Sequence, residues 1–191
     1  PTDSPHKSFK DLVEFARKNP GKVTSGNPGV GTTPHLAIEV VNMKENVKIV
    51  IVPFDGSAPA LTALLGGHIT CAGSSIQGIM SYLKAGKLRC LAVTSEKRLE
   101  VLPDVPTLYE LGYTDGIFPE AYLISAPKGT PAPVLKKVEA AFRKAIDTPD
   151  FRAFLKGSNL YVENPMSSQE LKAFIEKEYR KNGAIIRKAK M

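Results

Sequence analysis

The apolar residues of the first hundred positions alternate between helical and strand spacing. Residues 8–18 carry apolar side chains at 9, 12, 13, 15 and 16, which predicts an amphipathic helix that ends at the turn residues 19–21. Further helices are predicted over residues 33–44, 57–65 and 76–84, and strands over residues 22–25, 47–52, 69–72 and 88–94. Four such switches of period predict βα units and a mostly parallel sheet flanked by helices, an α/β fold.

The pattern changes after residue 100, where prolines and glycines interrupt the apolar positions. A short helix is predicted near 107–111, a strand over 121–125 and an edge strand over 160–162. Two long helical patterns, about 132–146 and 167–186, complete the chain. We therefore predict a boundary near residues 120–127, where the α/β domain gives way to a C-terminal helical segment.

The formal charge of +7 is concentrated in the helical segment, because residues 131–191 hold 13 Lys/Arg against 7 Asp/Glu. Acidic and basic residues are interleaved at helical spacing, as in Glu176 and Arg180, which indicates solvated helix faces rather than a nucleic-acid surface. No apolar run reaches the length of a membrane span. The polar opening from Pro1 leads us to expect a processed chain or a piece of a longer protein.

Candidate binding groups lie where the predicted strands turn into helices. In an open α/β sheet this edge holds ligands, and the turns at 25–33, 54–57, 72–75 and 94–95 all carry small hydroxyl residues. Glycines in three of the turns allow backbone N–H groups and a helix N-terminus to approach a bound anion. Helix capping and turn formation are the alternative for any single turn, but the length and three glycines of the first loop favour binding.

The first loop differs from the known phosphate-binding motifs. It matches the spacing of a Walker loop but has Thr32 where the lysine must stand, and Pro34 breaks the dinucleotide pattern. A backbone cradle without a fixed cation suits a singly charged group such as a carboxylate. The predicted ligand-binding residues are Ser25, Asn27, Gly29, Val30, Gly31, Thr32, Thr33, Gly73 and Ser74.

Catalytic patterns are weak, so we expect no enzyme activity, no cofactor and no metal site. His35 lies within reach of the first loop, where a structural role is favoured over ligand contact. Asp55 is the one carboxylate in these turns, and helix capping explains it better than acid catalysis. Cys71 and Cys90 fall in apolar runs and are expected to be buried free thiols, with a disulfide as the alternative.

Five segments of the chain together resemble a known family. They are SGNPGVGTTPHL at 25–36, VPFDGSAPAL at 52–61, KAGKLRCLAVT at 84–94, LPDVPT at 102–107 and APKGTP at 126–131. In this order they resemble the Bug (Bordetella uptake gene), or TctC-like, substrate-binding proteins of tripartite tricarboxylate transporters. The resemblance covers essentially the whole chain.

The resemblance implies a periplasmic, exported protein with two lobes of the periplasmic-binding-protein type, which close over a carboxylate and deliver it to membrane subunits of a transporter. Residues 1–122 would be the second lobe, and residues 123–191 would pack on a first lobe that lies outside this chain. Gly73 and Ser74 stand where many members have an aromatic residue and an aspartate, and Asp55 where a lysine or polar residue is common. These departures leave the ligand class open. The effector-binding domain of a transcription regulator, which can share this fold, is the alternative.

Overall fold

The computed structural model describes residues 1–119, 122–158, 160 and 165–191. Four helices and three strands form the first part of the described chain, and three further helices follow a single 3-10 turn at Thr114–Gly116. The elements in chain order are α1 (Phe9–Lys18), β1 (Thr24–Asn27), α2 (Thr33–Glu45), β2 (Val50–Pro53), α3 (Ser57–Leu65), β3 (Cys71–Ala72), α4 (Ile76–Lys84), α5 (Ala132–Ile146), α6 (Pro149–Gly157) and α7 (Ser168–Ala189).

The three strands form one parallel sheet in the order β2-β1-β3. Ser25 of the central strand pairs with Ile51 on one side and with Cys71 on the other. The chain therefore passes through α2 to one side of β1, and then through α3 to the opposite side. Between β1 and β3 lies the topological switch point, which is the place where sheets of this type form a binding crevice.

Two apolar clusters hold the helices against the sheet. The larger one joins α1 and α2 to Ile185 of α7. It also includes Leu108 and Tyr113, which precede the 3-10 turn, and Phe118, which follows it. The smaller one joins Leu61 and Leu64 of α3 to Ile69 before β3 and to Leu88 after α4. A parallel sheet flanked by helices confirms the predicted α/β class.

The predicted fourth strand at 88–94 is wrong, because this stretch pairs with a neighbour at Val93 alone, in a parallel bridge to Thr107. Val93 N–H donates to the carbonyl of Pro106, and Leu108 N–H donates to the carbonyl of Val93. The partner segment cannot extend the ladder, since Pro106 and Pro103 have no N–H group to donate.

Three other predictions of local structure also need correction. Residues 107–111 form a single turn instead of a helix, and residues 122–125 form no strand. Residues 161 and 162 of the predicted edge strand, and Ala121, lie outside the described residues. Helix α6 was not predicted, although Thr148 followed by Pro149 is a recognisable helix start and the Thr148 hydroxyl accepts from Phe151 N–H.

The chain divides into two compact units, residues 1–119 with 176–191 and residues 120–175. The first unit contains the sheet and both apolar clusters. In the second unit, α5 and α6 have no buried residue. The assignment of the parts of this chain to two lobes of a larger protein stays a prediction.

Candidate ligand-binding site

The first loop begins deeper in the sheet than the sequence suggests, because β1 continues to Asn27. Ser25 and Asn27 are consequently buried strand residues, and Asn27 is 0% exposed. The Asn27 side-chain amide donates to the carbonyl of Ser25 at 3.2 Å, while its Oδ1 has no partner among the described residues. A buried acceptor without a donor costs about 1–3 kcal/mol, so Asn27 is a candidate for contact with a ligand or a bound water molecule.

Gly73 follows β3 and brings the second loop against the first. Its N–H donates to the carbonyl of Gly26 at 2.9 Å. A Cβ atom at Gly73 would lie 2.2 Å from Cβ of Pro34 and 3.2 Å from Oδ1 of Asn27. Glycine is thus the residue that lets the end of β1, the end of β3 and the start of α2 meet, so packing explains its presence.

Gly26 makes a comparable close approach that the sequence analysis did not identify. A Cβ atom there would lie 2.4 Å from Cδ1 of Ile69 and 3.1 Å from the ring of Phe54. The glycine therefore lets the central strand pack directly against its neighbours. The sequence signal was present, since glycine is disfavoured within a strand and marks such an approach.

The helix that follows the first loop offers unsatisfied N–H groups. Thr32 is the N-cap of α2, but its hydroxyl donates to the carbonyl of Gly29 at 2.8 Å and caps no helix N–H group. The N–H groups of Thr33 and His35 belong to the first turn, where no intrahelical acceptor exists, and Pro34 has none to donate. Together with the positive end of the helix dipole, these donors favour an anion.

The second loop repeats this arrangement at the start of α4. Ser75 is the N-cap and makes no side-chain cap bond. Ser74 precedes it, and its Oγ is buried without a partner among the described residues. Two helix N-termini without a side-chain cap therefore flank the switch point. Helices α3 and α5 also lack such a cap, whereas α1 begins with a complete capping box between Ser8 and Asp11. Ser74 was among the predicted ligand-binding residues, whereas Ser75, which lies in the same predicted turn, was not.

Val30 and His35 show how the first loop is held. His35 is buried, and its Nδ1 accepts from Gly31 N–H at 3.2 Å while Nε2 lies 3.8 Å from Glu39. Positive φ angles at Gly29 and Gly31 form the turns. Val30 at the tip is 71% exposed. His35 therefore braces the loop, in agreement with the structural role predicted for it, and Val30 is available to contact an apolar part of a ligand.

The chemistry of these loops is that of a neutral cradle. Residues 28–32 and 73–75 contain no charged side chain, and no cluster of metal-ligating side chains exists among the described residues. The donors are backbone N–H groups and the buried Ser74 hydroxyl, which can also accept, and the buried acceptor is Asn27 Oδ1. Such a site can hold one carboxylate. Among the described residues of these loops, no nucleophilic side chain contacts a basic side chain.

The two cysteines are free thiols, as predicted, but both are half-buried instead of fully buried. Burial raises the pKa of Cys71 to about 11 and also raises the pKa of Cys90. At pH 8 a thiol with a pKa near 11 is about 0.1% thiolate. We expect Cys71 in a Cys90→Ser variant to react with Ellman's reagent roughly 100-fold more slowly in the native chain than in 6 M urea.

The same shift predicts a pH dependence of stability. Because the folded-state pKa of Cys71 lies above the unfolded value, its contribution is complete below pH 9 and is lost as the pH rises towards 11. If Cys71 reacts with Ellman's reagent as fast in the native chain as in the unfolded chain, the raised pKa of Cys71 is contradicted.

Comparison with known proteins identifies a matching family. The whole chain, residues 1–191, matches the family described as tripartite tricarboxylate transporter family receptor, TctC. A Cupriavidus necator protein described as a UPF0065 protein in the gbd 5' region is 38% identical over 189 residues, which are 98% of this chain and 57% of that protein. The chain thus spans little more than half the length of the curated relatives it matches first.

Solved structures show the same fold. One described as a periplasmic transporter has a TM-score of 0.86 and 31% identity over 98% of this chain and 62% of that one. An R. palustris protein solved with adipate has a TM-score of 0.80 and 27% identity over 97% of this chain and 62% of that one. No described helix is both long and apolar enough to cross a membrane.

Proposed function

The chain belongs to the tripartite tricarboxylate transporter receptor family, and from this we propose that it is the ligand-binding part of an extracytoplasmic solute-binding protein. In this proposal it captures a small organic carboxylate in the periplasm, without transforming it, for the membrane subunits of a tripartite transporter. The observation that carries the proposal is the pair of uncapped helix N-termini beside the unpartnered Asn27 Oδ1.

The carboxylate would lie at the switch point between β1 and β3. Backbone N–H groups at the starts of α2 and α4 would hold its oxygens, since a helix N-terminus stabilises a negative charge without a cationic side chain. Because Asn27 Oδ1 is an acceptor, it requires a donor, such as a water molecule or a hydroxyl or ammonium group of the ligand. The similar R. palustris structure solved with adipate supports a carboxylate as the ligand class.

Asp55 bears on the selectivity of this site. It is exposed in the turn after β2, next to Phe54, whose N–H donates to the carbonyl of Asn27 at 2.9 Å. A carboxylate at this edge would disfavour a second negative charge of a ligand near it. We therefore propose that the first unit receives one carboxylate and an uncharged part of the ligand.

The proposed division of the protein places residues 1–122 in the second lobe and residues 123–191 in a segment that packs on the first lobe. The exposed apolar side chains of residues 120–175 support a missing partner for that segment. Residues 176–191 group with the first unit, so the segment that needs a partner is narrowed to 120–175. In this proposal, the rest of the cleft comes from sequence outside this chain.

The test is an NMR titration of this chain with propionate, adipate and tricarballylate. We expect millimolar affinity, because in this proposal the rest of the cleft comes from sequence outside this chain, and shifts confined to the amides of Gly31, Thr33, His35 and Ile76. Adipamide is the matched neutral control and should leave these amides unchanged. Equal amide shifts with adipate and adipamide, or amide shifts at other residues on addition of a carboxylate, would contradict the site assignment.

A further inference from the structure

Lys181 is an exception among the basic residues of α7, most of which are solvated. Its side chain is 23% exposed, and its Nζ donates to the carbonyl of Ile117 at 2.5 Å. The ammonium group also pairs with Glu178 at 2.6 Å, whose side chain is 17% exposed. It lies 4.9 Å from the centre of the Phe118 ring, within cation–π distance. Three contacts fix this ammonium group in one place.

These contacts join the two places where the chain passes between its units. The chain leaves the first unit after Pro119 and returns to it at Glu176. Ile117 and Phe118 stand directly before the first connection, and Lys181 lies five residues after the second. One side chain of the first unit therefore holds together the two chain segments that lead to and from residues 120–175.

The segment that precedes the first connection is also anchored to α2. Lys44 of α2 donates to the carbonyl of Gly112 and lies 5.2 Å from the centre of the Tyr113 ring. Each of the two lysines thus binds a backbone carbonyl and covers the aromatic ring of the next residue. Phe118 N–H donates to the carbonyl of Thr94 at 3.0 Å, and Phe118 and Tyr113 are both buried in the larger apolar cluster.

From this geometry we propose that Lys181 is a positioning residue that couples the two connections, so that they move as one element. A point charge bound to a carbonyl, a carboxylate and a ring holds residues 117–118 against α7, and Ile185 fixes the helix in the core one turn later. Without the ammonium group, Ile117 and Glu178 would lose their common partner, and each connection would fluctuate separately.

Hydrogen exchange of the full chain tests this coupling. Lys181→Met keeps the aliphatic stem and removes the charge, and we expect exchange of the Phe118 amide to accelerate about 10- to 100-fold. The Val41 amide, in the middle of α2, should keep its rate. Lys181→Arg should restore slow exchange, because it keeps a cation of similar reach, and Lys177→Met is the control at an exposed lysine of the same helix.

The outcomes separate positioning from a general contribution to stability. Equal acceleration at Phe118 and Val41 would mean global destabilisation and would overturn the proposal, as would a Phe118 exchange rate unchanged from that of Lys177→Met.

A second measurement rests on the proposed function. In the full-length protein, Lys181→Met should weaken carboxylate binding several-fold while the ligand-induced shifts of Gly31 and Thr33 stay the same. Affinity equal to that of Lys177→Met would contradict a role in binding, and the exchange result does not depend on any ligand.

Discussion

Thr32→Asp is expected to weaken carboxylate binding by the full-length protein by at least about 100-fold while the protein remains as stable as the wild type. The new carboxylate would stand at the N-cap of α2, where it repels the ligand and accepts the N–H groups that the ligand would use. Two like charges 4 Å apart near a protein surface repel by roughly 4 kcal/mol, and each 1.4 kcal/mol is a factor of ten. Isothermal titration calorimetry with adipate measures the loss.

Stability should be preserved, because aspartate is among the best N-cap residues and its charge is favourable at a helix N-terminus. The lost bond from the Thr32 hydroxyl to Gly29 offsets part of this gain. Thr148→Asp is the matched control, since it makes the same change at the N-cap of α6. If both variants bind adipate with equal affinity, the cradle at the start of α2 is not the site.

The parts of this site that the sequence predicts are those encoded by local chemistry. The first loop, its glycines and the helix starting at Thr33 follow from turn and capping preferences, and α3 and α4 begin and end where the pattern indicates. The parallel direction of the strands follows from the alternation of strands and helices, whereas the order β2-β1-β3 does not. Local signals of this kind act over a few residues, so a single sequence contains them.

The parts that the sequence does not predict depend on partners distant in the chain. The strand expected at 88–94 failed because its neighbour near Thr107 is interrupted by prolines, which no pattern within 88–94 reveals. Gly73 looks like a flexible turn residue until Pro34 is seen against it. Lys181 lies in a helix of alternating charges and differs from its neighbours because Ile117 and Phe118 face it.

The exposed apolar side chains of the second unit lead to the other prediction with a large effect. Replacing two of them should improve the behaviour of this chain alone and destabilise the full-length protein. Its apolar side chains, which are 38% to 72% exposed, include Tyr122, Leu123, Ile124, Val134, Leu135, Val138, Phe142, Phe151, Phe154, Met166 and Ile175. A surface of this kind is a site of association. We expect this chain alone to self-associate at micromolar concentrations and to become monomeric in the double variant Val138→Glu, Phe142→Lys, measured by sedimentation velocity.

In the full-length protein the same double variant should lower the free energy of unfolding by roughly 3 kcal/mol or more, because it removes two apolar side chains from a buried interface and places charges there. The new Glu–Lys pair at i, i+4 keeps the net charge and favours the helix, so helix loss cannot explain the effect. Tyr179→Lys, at an 81% exposed position of α7, should be neutral in both proteins. Loss of self-association in this chain together with a lower free energy of unfolding in the full-length protein requires that the rest of the full-length chain covers this face. A lower free energy of unfolding in both proteins would instead assign these residues to the packing of the second unit itself.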